Sequence, residues 1–161
     1  MNDDEKFMRE AIKAAKEAEA NGGVAIGAVM VKDGEVVSRG LSITWENRDP
    51  SNHGEMDCVR NYAKEFGMGY SGCTLYGTLE PCSMCLGVCL WSGVERMVFG
   101  AYAGDVAGND YEYNDYSAEE FAKKSRVNAN LDNGPIQITG GVLREECKAL
   151  LADYDKWQKV S

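Results

Sequence analysis

Residues 73–100 read CTLYGTLEPCSMCLGVCLWSGVERMVFG, and this stretch decides the fold. CTLYGTL (73–79) has the composition of a strand, and it runs straight into Glu80-Pro81-Cys82. A helix is expected over 82–91, followed by a second strand, VERMVFG (94–100). Strands that alternate with helices pack as layers, and a helical crossover joins neighbouring parallel strands.

Working outward, VAIGAVMV (24–31) is a continuous apolar run, closed by Lys32-Asp33-Gly34 and followed by EVVSRGLSIT (35–44). That pattern predicts a β-hairpin whose first strand is buried on both faces, which makes the sheet mixed. Upstream, Phe7, Met8, Ala11, Ile12, Ala15 and Ala18 recur at three- and four-residue spacings and predict an amphipathic helix over 4–20, stopped by Asn21-Gly22-Gly23. A further helix is expected over 53–66. Downstream come a polar loop over 101–116, a short helix near 117–125, a strand over 136–139 and a last amphipathic helix over 142–157. The expected architecture is α/β, a three-layer α/β/α sandwich on a mixed five-stranded sheet, with residues 1–161 as a single domain.

The composition is that of a soluble globular chain: 161 residues, 44% hydrophobic and 27% charged, with three prolines. The acidic, interrupted N-terminus does not read as a signal peptide, and no apolar run approaches the roughly 20 residues that span a bilayer. A cytoplasmic location without membrane association is expected. Seventeen basic against 26 acidic side chains give a net charge of −9. Polynucleotide binding draws on cationic contacts to phosphate, so this balance argues for a small-molecule substrate and makes a nucleic acid an unlikely partner. The one dense basic stretch, Lys123, Lys124 and Arg126, reads as a solvated helix end.

Six cysteines in a cytoplasmic chain should be reduced. Cys58, Cys73, Cys89 and Cys147 sit among apolar neighbours and read as small core residues. Cys82 and Cys85 differ, because Cys-x-x-Cys at a helix start sets two sulfurs on one side of the first turn. There the free N–H groups and helix dipole favour thiolates. His53 is the one histidine of the chain, and Glu55 follows two residues later. Thiolate and imidazole are the ligands that zinc prefers, and three of them leave a tetrahedral position open for a water whose pKa zinc lowers towards about 7. Glu55 is then close enough to move protons without binding the metal. Two other readings use the same residues. A structural zinc site would need Cys89 as fourth ligand, but that residue lies about 6 Å further along the helix axis than Cys85. A redox Cys-x-x-Cys would leave His53 and Glu55 without a role.

His53-Gly54-Glu55 and Pro81-Cys82-Ser83-Met84-Cys85 together spell H-x-E…P-C-x-x-C, the pattern of zinc deaminases. On these motifs the chain resembles the cytidine/deoxycytidylate deaminase superfamily, and within it the branch of fungal cytosine deaminase, bacterial guanine deaminase and tRNA adenosine deaminases. GVAIGAVMVKDGEVVSRG, DPSNHGEMDCVRN and ITGGVLREECKALL extend the resemblance to nearly the whole chain. It implies a homodimer that uses Zn²⁺ held by His53, Cys82 and Cys85, with Glu55 as the catalytic proton shuttle. The asparagine that relatives carry two residues after the hairpin's Arg-Gly, where it contacts substrate, is here Ser42, shorter and able to offer one donor. Gly54 follows the histidine as in fungal cytosine deaminase. Tyr102 and Trp157 are the aromatic side chains expected to stack on a planar base.

The loop over 101–116 lacks the Arg-Asp pair expected after this strand in a tRNA enzyme. With the charge and the His-Gly-Glu spelling, this favours hydrolytic deamination of a small nucleobase or nucleoside, a cytosine-like aminopyrimidine first and guanine second. The alternative is tRNA adenosine-to-inosine deamination, favoured by the C-terminal match. A non-catalytic binding protein would not need His53, Glu55, Cys82 and Cys85 intact.

Overall fold

A computed structural model describes residues 2–106 and 116–153. Helix α1 (Asp3–Ala20) leads into strands β1 (Gly27–Lys32) and β2 (Glu35–Leu41), a short helix α2 (Thr44–Asn47) and helix α3 (Gly54–Phe66). Strand β3 (Cys73–Leu79), helix α4 (Ser83–Ser92) and strand β4 (Arg96–Ala101) follow, with a 3₁₀ turn at Ala103–Asp105. The remaining elements are α5 (Ala118–Lys124), α6 (Arg126–Ala129), β5 (Gln137–Thr139) and α7 (Arg144–Leu150).

The strands form one sheet in the order β2-β1-β3-β4-β5. The β1–β2 and β1–β3 pairs are antiparallel, and β3–β4 and β4–β5 are parallel. The sheet is therefore mixed and five-stranded, as expected. Alternate side chains of β1 supply the two cores, as the two-residue period of a strand requires. Val29 and Val31 join Phe7, Met8, Ile12, Val98 and Leu151 beneath α1 and α7. Ala28 and Met30 join Cys58, Tyr62, Leu75, Leu86, Leu90 and Met97 beneath α3 and α4. These layers make the α/β/α sandwich.

Two close approaches seat the helices. A Cβ at Gly27 would lie 2.3 Å from the Ala15 nitrogen, and one at Gly40 would lie 2.0 Å from the Gly54 carbonyl oxygen. Glycine at these positions lets α1 and α3 lie directly on the hairpin. The first turn of α1 is locked to the sheet by Asp4, whose carboxylate accepts from both Arg96 guanidinium nitrogens at 2.7 Å and from the Tyr76 hydroxyl at 2.9 Å. The Arg96 guanidinium holds the Asp4 carboxyl below its ordinary range.

Several boundaries differ from those expected. Strand β1 starts at Gly27 because Val24–Ile26 form a tight turn, with Ile26 N–H donating to the Val24 carbonyl at 2.7 Å. Strand β2 ends at Leu41, whose N–H is taken by the Asp57 carboxylate at 2.9 Å. The last helix begins at Arg144 because Leu143 sits in the left-handed region, at φ 51°; the expected stretch beyond 153 lies outside the described residues. Lys123 and Lys124 close α5, the helix-end position expected of them. No helix among the described residues is long and apolar enough to cross a membrane.

Candidate active site

The two antiparallel pairings and the parallel β3–β4 pair bring the N-termini of α3 and α4 to the same end of β3. His53 is the N-cap of α3 and makes no side-chain capping bond, which leaves its ring free to face α4. Cys82 is the N-cap of α4, and its sulfur accepts from the Cys85 N–H at 3.5 Å. The His53 Nδ1 lies 3.7 Å from Cys82 Sγ and 3.6 Å from Cys85 Sγ. The ligand atoms of these three residues all fall within 4.8 Å of one another. With Zn–S near 2.3 Å and Zn–N near 2.0–2.1 Å, a tetrahedral site separates sulfur from nitrogen by about 3.6 Å. The donor set fits zinc in both chemistry and spacing.

Cys89 is fully buried among the apolar side chains beneath α4 and is not part of this cluster. Burial pushes its thiol well above the ordinary range. Cys58, Cys73 and Cys147 are likewise buried in the cores.

Glu55, the second residue of α3, is 3% exposed, and the Cys85 thiol donates to its Oε2 at 3.6 Å. Burial raises its pKa to about 7, and the negative charge of Cys82 adds to the shift. A carboxyl poised there can both accept and donate a proton at neutral pH, which is what a proton shuttle requires. The Cys85 thiol and the His53 ring hold Cys82 down to about 4, so Cys82 is the thiolate of the pair. His53 is raised in turn, first by its hydrogen bond with Cys82.

Other side chains that the sequence reading passed over build the surroundings. Gly77 in β3 lies against Glu55 and Met97: a Cβ there would sit 3.2 Å from the Met97 methyl carbon and 3.5 Å, an ordinary contact, from Glu55 Oε1. A glycine inside a strand was the available signal. Arg60 donates to Asn52 Oδ1 and to Ser51 Oγ, both at 2.7 Å, and so stiffens the approach to His53. Glu80, also buried, accepts from the backbone N–H groups of Ala103 and Ala118.

The structure brings His53, Glu55, Cys82 and Cys85 together. Ser42, the residue after β2, is buried, and Ile43 N–H donates to the Asn52 carbonyl at 3.1 Å, so Ser42 and His53 flank one backbone contact. Gly54 packs on β1, where a Cβ would sit 3.2 Å from the Ile26 carbonyl oxygen. The Tyr102 ring is 37% exposed. It meets Phe99 edge-on at 5.1 Å, with the Arg144 guanidinium 4.8 Å from its centroid. Trp157 lies outside the described residues.

A buried carboxyl against a His-Cys-Cys cluster at two helix N-termini, on an α/β/α sandwich, defines a zinc-dependent hydrolytic deaminase. The chain belongs to the cytidine and deoxycytidylate deaminase zinc-binding family, whose zinc-binding region it matches over residues 1–101. It is 37% identical over 155 residues to a tRNA-specific adenosine deaminase of Bacillus subtilis, covering 96% of this chain and 89% of that protein. A cytosine deaminase of Candida albicans is 36% identical over 99 residues, 61% of this chain and 66% of that one. Among solved structures, a tRNA:A34 deaminase that performs A-to-I editing at the wobble position of transfer RNA superposes with a TM-score of 0.73. It is 30% identical, with 91% of this chain and 99% of that chain covered.

These relatives correct the expectation of a free nucleobase or nucleoside and of an unlikely nucleic-acid partner. The likeness to the Bacillus subtilis tRNA-specific enzyme covers 96% of the chain, whereas the cytosine deaminase match covers 61%. Net charge sums the whole surface and does not report the field at one rim of the sheet, so −9 does not exclude a polyanionic substrate.

Proposed function

We propose that the chain deaminates an adenosine of tRNA to inosine, at the wobble position of the anticodon. The observation that carries this reading is the likeness to tRNA-specific adenosine deaminases over 96% of the chain. In this reading His53, Cys82 and Cys85 hold zinc, which supplies the Lewis acidity that makes hydroxide available at neutral pH. Glu55 takes a proton from the attacking water and passes protons to the ring nitrogen and then to the leaving amine. The C–N bond of the exocyclic amine breaks, a carbonyl forms at the same carbon, and ammonia leaves. Burial keeps bulk water from Glu55, and the Cys85 and His53 contacts hold Cys82 as a thiolate. Ser42 meets the edge of the flipped base from the hairpin side, Gly54 leaves the floor flat, and Tyr102 contributes aromatic surface.

Residues 1–161 act as one domain, in a homodimer. Support for the dimer comes from α4, which carries no charged residue and leaves Met84 and Val88 half-buried and Trp91 79% exposed.

Ammonia release against a substrate panel tests the substrate class. A tRNA transcript with adenosine at the first anticodon position should be turned over, and free cytosine, guanine and adenosine should not. Turnover of a free base without turnover of the tRNA would overturn the proposal.

A further inference from the structure

Glu80 stands immediately before Pro81-Cys82, is 8% exposed and contributes no atom to the metal cluster. Its Oε2 accepts from Ala103 N–H at 3.0 Å and its Oε1 from Ala118 N–H at 2.9 Å. Ala103 opens the 3₁₀ turn after β4, and Ala118 is the first residue of α5. First-turn N–H groups have no partner within their own helix. One carboxylate therefore caps two elements that are 15 residues apart in sequence. Its own backbone N–H is tied to the Ala101 carbonyl at 2.8 Å, which fixes the strand end from which the carboxylate reaches out.

This matters for the site because β3 and β4 are parallel, so their C-terminal ends lie on the same edge. The end of β3 delivers Cys82, and the end of β4 delivers Tyr102 and Ala103. From this we infer that Glu80 is a positioning residue for substrate: it clamps Ala103 and Ala118 beside the Cys82 turn and so fixes the wall of the base pocket on the β4 side. The inference rests on the proposed deaminase reading for its substrate.

Glu80→Gln is the discriminating variant. The amide keeps the shape, but its oxygen can accept from only one of the two N–H groups, while its own NH₂ is turned on the other. Hydrogen exchange on the purified zinc-loaded protein should show protection lost at Ala103 or Ala118, or at both, and unchanged along β3. Zinc content should stay at about one per chain. With the wobble-adenosine tRNA, KM should rise about ten- to hundredfold, the range spanned by loss of a hydrogen bond to a charged group, and kcat should change far less. Glu80→Asp, which retains the carboxylate on a shorter arm, should recover part of the KM and decides the matter if Glu80→Gln fails to fold. Unchanged protection, lost protection with unchanged KM, or loss of zinc from Glu80→Gln would each overturn the role. If wild type turns over a free base in place of tRNA, the substrate reading fails. Exchange and the KM for that base still decide Glu80.

Discussion

Cys82→Ala and Cys85→Ala should each lose zinc and deaminase activity together, while Cys89→Ala keeps both. The purified wild-type protein should carry about one zinc per chain, and either ligand variant close to none. Each sulfur stands within 3.7 Å of His53 Nδ1, so removing one leaves two ligands for an ion that needs three from the protein. Cys89 shares their helix but is buried in the apolar layer beneath it. Its replacement removes one buried sulfur from the core and should cost about 1 kcal/mol of stability. Metal analysis and ammonia release on the same samples make the check. A Cys89→Ala protein devoid of zinc would replace the open site with a structural, four-ligand one.

Glu55→Gln should lower kcat by at least about 10²–10⁴ with zinc content and fold unchanged. The amide fills the same space beside Gly77 but can neither accept the proton of the attacking water nor return it. Burial and the neighbouring thiolate raise the carboxyl above its ordinary range, the direction that suits a group that must both take and return a proton. The comparison is made at saturating substrate, so that binding does not mask the chemical step. Near-normal turnover by Glu55→Gln would remove Glu55 from the proton path.

Much of the frame was legible because its signals are local. The apolar run of β1, the strand over 73–79 and the Cys-x-x-Cys helix start are patterns of adjacent residues. The grouping of His53 with Cys82 and Cys85 is legible as the H-x-E…P-C-x-x-C pattern, whose residue types a shared metal explains. The four-residue helices α2 and α6 are too short to carry a period. Glu80 is not legible because its two donors lie 23 and 38 residues downstream, and nothing local marks them. Substrate class was misjudged because a global quantity, charge, and the absence of one Arg-Asp pair stood in for the shape of a surface. The likeness in ITGGVLREECKALL was the better guide. Its α7 places Arg144 on Asp105 in a two-pronged pair at 2.7 and 2.9 Å, which ties the C-terminal third to the segment after β4.

The most direct measurement is sequencing of a wobble-adenosine tRNA after incubation with the zinc-loaded wild-type protein and, in parallel, with Glu55→Gln. Inosine is read as guanosine, so wild type should convert that single adenosine to an apparent G and leave every other adenosine unchanged, and the variant should convert none. Absence of conversion by the zinc-loaded wild type, or equal conversion by Glu55→Gln, would contradict the assignment of tRNA adenosine deamination to this site.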